Sequence, residues 1–343
     1  MAARITIKDI AERAGVSIGA VSFALNGRKG VSADTTARVL AVAEELGWAP
    51  SSAARSLTEA KSETFGLVLA RDTSALGVES FFMQFIAGIE SELTKRSYAL
   101  LLQVVPDIAA EVETHRKWQA SRRVDGLIVV DLRSGDPRLT ALSRPGALPA
   151  VFSADPSIAG SLMNVWTDDA SAMRECLSYL AAMGHRKVAR VSGFSELGHT
   201  SVRDAAFREE SKKLGLLSEV FSTDYSIQEG ARATRAVLSK PDRATAIVYD
   251  NDIMAMSGLG VASEMGLSVP TDISLVAWDD SALCELTYPP LTAVSHDVVA
   301  LGAHVARRLF DLIDGRPPGS YRDSVPTLKV RGSTAPPKRP KTS

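Results

Sequence analysis

Cysteine is nearly absent. Cys176 and Cys284 are the only two, and no Cys-x-x-Cys pair occurs. A disulfide framework is thereby excluded, and a reducing cytoplasm is the expected setting. Long apolar runs are missing too, so no membrane-spanning helix is expected. The opening residues, MAARITIKDIAERAG, are polar and charged, without the apolar centre of a secretory leader. Neither sign of charge dominates: 39 basic against 40 acidic residues leave a net −1, so the whole chain is no polycation. The histidines at 115, 185, 199, 296 and 304 lack metal-ligand spacing. There is no P-loop. The string GLGVAS from Gly258 to Ser263 lies inside a helical stretch and lacks the third glycine of a dinucleotide fingerprint. No Ser–His–acid arrangement emerges. The reading is therefore no metal, no cofactor and no enzyme.

What remains is a chain of 343 residues, 45% apolar and 23% charged, long enough for two or three globular domains. The first 62 residues carry eight basic and six acidic side chains, a mild excess that by itself argues nothing. They read as short helices. Thr6 and Asp9 make a Thr-x-x-Asp start signal for a helix to about Arg13, and Gly15 breaks it. Ser17 caps a second helix to about Leu25. Ser32 caps a third, ended by Gly47. Ala11, Gly15 and Val21 have the spacing of a helix–turn–helix: a small residue at the crossing, a turn, and an apolar wedge. With Val21, Ala24 and Leu25 turned inward, Ile18, Gly19, Ser22, Phe23 and Asn26 face outward, the face that enters a major groove in this motif. A plain three-helix bundle is the bland alternative. The Gly-x-Ser-x-Gly string from Gly15 to Gly19 is not a nucleophile elbow, because it joins two helices instead of a strand to a helix.

Beyond residue 63 the pattern changes. Eight strand-like runs (65–70, 98–105, 125–130, 149–152, 187–192, 244–249, 273–278 and 291–294) alternate with helical stretches such as 81–96, 169–183 and 298–313. Strands apolar on both faces with helices between them predict parallel sheets, here in two α/β lobes. Ligands of such sheets bind beyond the carboxyl ends of the strands. Those ends carry Arg71 and Asp72, Asp131, Ser153 and Asp155, Asp250 to Asp252, and Asp279 and Asp280. Polar, mostly acidic groups converging there suit a polyol, with Phe81, Phe82 and Tyr225 to cover an apolar sugar face.

The segment TIKDIAERAGVSIGAVSFALNGRKGVSADTTARVLAVAEELGWAPSSAARSL resembles the DNA-binding head and hinge of the LacI/GalR family of bacterial transcription regulators. The likeness continues through GLVLA, GLIVV, GHRKVARVSG, YDNDIMAM, GLSVPTDISLVAWDD, PPLTAV and LKVRGSTAPP, in order, over nearly the whole chain. It implies a homodimer on pseudo-palindromic operator DNA, with a core like periplasmic binding proteins that senses a small molecule. The implied organisation is a helix–turn–helix head at 1–46 and a hinge at 47–63. A first lobe would take 64–162 plus 294–323, a second 163–293 plus 324–332, and 333–343 a disordered tail.

The resemblance also assigns residues. Thr6, Ser17, Asn26, Arg28, Lys29 and Trp48 become phosphate contacts. Ser51, Ala54 and Leu57 become hinge contacts in the central minor groove, with Leu57 wedged between base pairs and Ser51 where the family often has Asn. Arg203, Asn251 and Asp279 fall on effector positions, joined by Arg71, Asp131, and the aromatic Phe82 and Tyr225. Asp252 and Asp280 are expected as helix caps. The function so implied is a repressor, dimeric and cytoplasmic, whose operator affinity answers to a small molecule, a carbohydrate by family likeness. A solute-binding protein without DNA function is the alternative.

Overall fold

The structure, a computed structural model, describes residues 5–48, 61–71 and 80–338. The chain divides into two compact units, one ending at Ser62 and one beginning at Glu63.

The first unit is built on α1 (Ile7–Ala14), α2 (Ile18–Leu25) and α3 (Ala33–Glu45). Each start is fixed by a short polar side chain. The Thr6 backbone N–H donates to the Asp9 carboxylate at 2.7 Å, and the Thr6 hydroxyl does so at 2.8 Å. Ser17 accepts from the Ala20 N–H, and Ser32 from that of Thr35. Gly15 turns the chain between α1 and α2 at φ 65°, a backbone that a side chain would strain. The core consists of Ile10, Ala11, Ala14, Val21, Ala24, Val39 and Ala43. Ala11 and Val21 thus hold the crossing as their spacing predicts. The expected hinge contacts Ser51, Ala54 and Leu57 lie outside the described residues.

The second unit holds two six-stranded sheets. The first comprises β1 (Thr64–Ala70), β2 (Ala99–Val105), β3 (Gly126–Val129), β4 (Ala150–Ser153), β5 (Asn164–Thr167) and β11 (Ser320–Ser324). Its order is β11-β5-β4-β3-β1-β2, all parallel. The second comprises β6 (Lys187–Ser192), β7 (Leu217–Ser222), β8 (Ala246–Tyr249), β9 (Ser274–Trp278), β10 (Thr292–Ser295) and β12 (Thr327–Lys329). Its order is β12-β10-β9-β8-β6-β7, antiparallel only at β12. Central strands such as β3, β8 and β9 are buried along their whole length, because helices cover both faces.

The lobe boundaries differ from those expected. β5 belongs to the first sheet, so that lobe continues past 162. β10 lies wholly in the second sheet, so the return to the first lobe comes after Ser295 and not at 294. Ser324 closes β11, and the second lobe resumes only beyond it. The chain therefore crosses between lobes three times. The expected disordered tail, 333–343, is also corrected over 333–338, while 339–343 lie outside the described residues. Ser333 is fully buried, its hydroxyl donates to the Leu275 carbonyl at 2.6 Å, and it accepts from the Thr292 N–H. Lys338 pairs with Asp272 at 2.5 Å. Backbone pairing of Ser333 with Leu275 ties this segment to the second lobe.

The first lobe depends on one close helix contact. A Cβ at Gly88, on the helix Ser80–Leu93, would lie 2.0 Å from the Val299 carbonyl oxygen. The opposing helix is Val298–Ile313. Backbone meets backbone there, and neither side can yield. Gly88→Ala is expected to lower stability by about 3 kcal/mol, read as a shifted urea midpoint.

Candidate functional site

Two surfaces gather the predicted residues. On the head, α2 presents Ile18 at 47% and Phe23 at 40% exposure, with Gly19 open and Ser22 half-buried between them. Two large apolar side chains in water on one short helix cost free energy unless something covers them. Asn26 donates through Nδ2 to the Ser22 carbonyl at 2.8 Å, which orients its amide on the same face. Arg28 and Lys29 are exposed in the following turn. Thr6 and Trp48 depart from the expectation. The Asp9 carboxylate already occupies the start of α1 and takes the Thr6 N–H, so that helix end is less open to an anion. Trp48 is half-buried against the head core.

The second surface is a cleft between the two lobes of the larger unit. It lies beyond the carboxyl ends of both sheets, at the points where the strand order reverses. All seven predicted effector residues line it: Arg71, Phe82, Asp131, Arg203, Tyr225, Asn251 and Asp279. Asp131, Tyr225 and Asp279 each take positive φ, at 54°, 69° and 59°. Non-glycine residues rarely adopt that conformation, and it clusters at binding and switch sites.

The floor of the cleft is a buried ionic chain. Arg190, fully buried on β6, joins Asp204 at 2.7 Å and Asp250 at 2.9 Å. Arg203 joins Asp250 at 2.8 Å and Asp169 at 2.7 Å, with its guanidinium 4.2 Å above the Trp278 ring. Burial alone would raise the Asp250 carboxyl, but Arg190 and Arg203 outweigh it and hold the group far below the ordinary carboxylate range. Tyr225 reaches the same carboxylate through its hydroxyl at 3.2 Å, with Thr200 and His199 beside it. Burial, then the nearby Arg203, lowers the His199 imidazole to about 4 and keeps it neutral. In the first lobe Arg71 pairs with Asp131 at 2.7 Å.

Two acids stand apart. Asp279 Oδ1 and Asp252 Oδ2 are buried with no hydrogen-bond partner among the described residues. Burial pushes the Asp279 carboxyl up to about 8, partly opposed by Arg203 and reinforced by Asp252. Asp252 is raised as well, by burial. The cap assignments change accordingly. Asn251, not Asp252, caps the helix Asp252–Glu264, its Oδ1 accepting from the Met254 N–H at 2.8 Å. Asp280 caps nothing and is held by Arg331 and Lys329; Ser281 caps the short helix that follows.

The comparisons with known proteins agree with this geometry. The model of bacterial regulatory proteins of the lacI family matches residues 6–51, and that of the periplasmic binding protein-like domain matches 177–334. The transcriptional repressor PurR of Erwinia tasmaniensis is 31% identical, over 96% of this chain and 97% of its own. The chain belongs to the LacI family of bacterial transcriptional regulators. Among solved structures, a lac repressor dimer bound to operator and the anti-inducer ONPF is 26% identical, with a TM-score of 0.86 over 97% of this chain and all of that one. A complex of the regulator CelR with cellobiose is 27% identical, with a TM-score of 0.73 over 96% of this chain and all of that one. The members of the family found here are regulators and not enzymes.

Within the family frame, the sequence missed Asp169, Trp166, Thr167, His199 and His296 in the cleft wall. Asp169, Trp166 and Thr167 lie on or just after β5, the strand that composition did not reveal. His199 had no signal: it opens a helix whose first turn is aimed at the cleft only by the fold.

The Asp279 carboxyl yields a stability test. Its folded pKa lies above the unfolded one, so the native state binds the extra proton, and stability falls as pH rises from about 4 towards 8. Asp279→Asn removes that penalty. Its urea midpoint is expected to exceed the parent's at pH 7.5, with the gap closing near pH 4; a pH-independent gap contradicts this origin.

Proposed function

We propose that this chain is a dimeric transcriptional repressor that reads operator DNA with α2 and releases or tightens its hold when a carbohydrate occupies the interlobe cleft. It acts in the cytoplasm on chromosomal DNA. The observation that carries the reading is the pairing, in one chain, of a capped helix–turn–helix head with uncovered Ile18 and Phe23 and a polar cleft at the sheets' switch points. A carbohydrate suits a cleft whose walls mix Phe81 and Phe82 with carboxylates, an amide and a guanidinium. The cellobiose complex of CelR, a protein of the same family, supports the same ligand class.

Apart from Asn26 at its end, whose amide donates to the Ser22 carbonyl, the recognition face lacks the Arg, Asn or Gln that read guanine and adenine through paired hydrogen bonds. Ile18 and Phe23 are apolar bodies suited to thymine methyls, and Gly19 allows close backbone approach. Ser17, Arg28 and Lys29 would add phosphate contacts that fix register, and Leu57 the central wedge. Effector and operator share one equilibrium. Operator must therefore change effector affinity by the same factor that effector changes operator affinity.

Selection of binding sites from random duplexes, followed by a gel shift, tests the DNA half. A palindromic site is expected, bound by the full chain and lost when residues 1–62 are deleted; binding by the truncated chain refutes the reading. Phe23→Arg is expected to change the selected half-site, with a gain of guanine at one position worth about 1–3 kcal/mol of discrimination. The same motif from both proteins removes Phe23 from base readout. For the sensing half, Asp279→Asn is expected to weaken the effect of any active sugar on the gel shift by about tenfold or more. It should leave sugar-free operator binding in place.

A further inference from the structure

The reading of the cleft as the effector site leaves the charge of the effector open, and the geometry bears on it. Among the described residues, six carboxyl side chains line the cleft (Asp131, Asp155, Asp169, Asp250, Asp252 and Asp279), against the guanidiniums of Arg71 and Arg203. Both guanidiniums are committed. Arg71 lies against Asp131, and Arg203 lies between Asp169 and Asp250. Four of the acids are likewise occupied. Asp131 has Arg71. Asp169 has Arg203 and accepts the Thr167 hydroxyl at 2.7 Å. Asp250 has two guanidiniums and the Gly193 N–H. Asp155 accepts from the Ser157 N–H and hydroxyl.

The remaining two, Asp252 and Asp279, face the same cleft, and each keeps a buried oxygen without a partner among the described residues. Asp252 is only 3% exposed, so water cannot satisfy that oxygen freely. Both histidines in the wall are held neutral by burial, so neither offsets the acids.

We infer that the Asp252–Asp279 pair makes the cleft an anion filter: the effector is rich in hydroxyl donors and carries no phosphate or carboxylate. An anionic sugar would have to displace Asp169 from Arg203, leaving that buried acid without its cation, which is costly. It would also bring its charge against the member of the pair that stays ionised, inside a desolvated cleft. A hydroxyl-rich neutral ligand meets neither obstacle. Its O–H groups donate to the two open oxygens, and the protonated one of the pair can donate in return. Burial, reinforced by the nearby Asp252, pushes the Asp279 carboxyl up to about 8 and so keeps it protonated near neutral pH. The inference rests on the cleft being the effector site, but the sign of its field can be measured without knowing the ligand.

Trp166 lines the cleft and is half-buried, whereas Trp118 and Trp278 are 3% and 0% exposed. In full-length protein carrying Trp48→Phe, collisional quenching therefore reports on Trp166. Quenching by caesium and by iodide is compared at equal, low ionic strength, with each scaled to free N-acetyltryptophanamide. The scaled caesium-to-iodide ratio is expected to be about threefold above one, and to fall with added salt. A ratio at or below one overturns the proposal. In the Asp252→Asn/Asp279→Asn variant the ratio is expected to drop towards one; an unchanged ratio removes the pair from the role. Phosphorylated glucose and gluconate are expected to leave the parent's Tm unaltered, and a saturable rise with either overturns the proposal. Failure of the gel shift would refute the regulator reading and leave the quenching ratio untouched, so the two failures are distinct.

Discussion

The buried chain Asp204–Arg190–Asp250–Arg203–Asp169 is the constraint on which the cleft depends. Five ionised groups taken out of water are tolerable only if each finds its opposite with good geometry. They come from different places: β6, the ends of β5 and β8, and two positions on the helix Gly198–Lys213. Satisfying them fixes how that helix meets the second sheet. Their arrangement also decides what is left over. Because Asp250 is shared by two guanidiniums and by the Tyr225 hydroxyl, Tyr225 is pinned at the cleft wall. Asp279, one strand away, keeps a buried oxygen without a partner among the described residues, and its carboxyl is the one that burial pushes up.

The two lobes touch beside this network. The Gly198 N–H donates to the Leu132 carbonyl at 2.7 Å, and Arg133 pairs with Leu197 in an isolated bridge. The first turn of the helix that carries Arg203 is thus attached to the first lobe, while its middle is attached to the floor of the second. A ligand contacting Arg203 is linked by one rigid element to the relation between lobes. This is the kind of two-sided attachment that a population shift needs, since a ligand must interact differently with two arrangements to favour one.

Sequence reading succeeded where burial was complete and failed where it was partial. β3, β8 and β9 are apolar on both faces and stood out as runs. β5, with Asn164 and Thr167 in four residues, did not, although it is an interior strand of the first sheet, between β11 and β4. β7 and β11 are edge strands whose alternating or polar residues look like loop. Missing β5 displaced a lobe boundary and hid Asp169, Trp166 and Thr167. The seven effector candidates did converge, because strand ends are positioned by topology and needed only the strands to be right. Capping was the finer failure: Asn251 and Asp252 are adjacent polar residues at one junction, and only the backbone's path decides which one turns back to the helix start. The head was legible almost throughout, since its caps and turn are encoded within a few residues of each other.

The three crossings between lobes have a consequence for synthesis. The head's core closes on residues no later than Trp48. The first sheet cannot be completed until β11, Ser320–Ser324, pairs with β5, and the second waits for β12, Thr327–Lys329, on β10. Domains tend to fold as units as they emerge during translation. In this chain the part that grips DNA can fold first, on a nascent polypeptide that still has no finished sensor. The order of emergence separates the two activities in time, and the last stretch of sequence joins them.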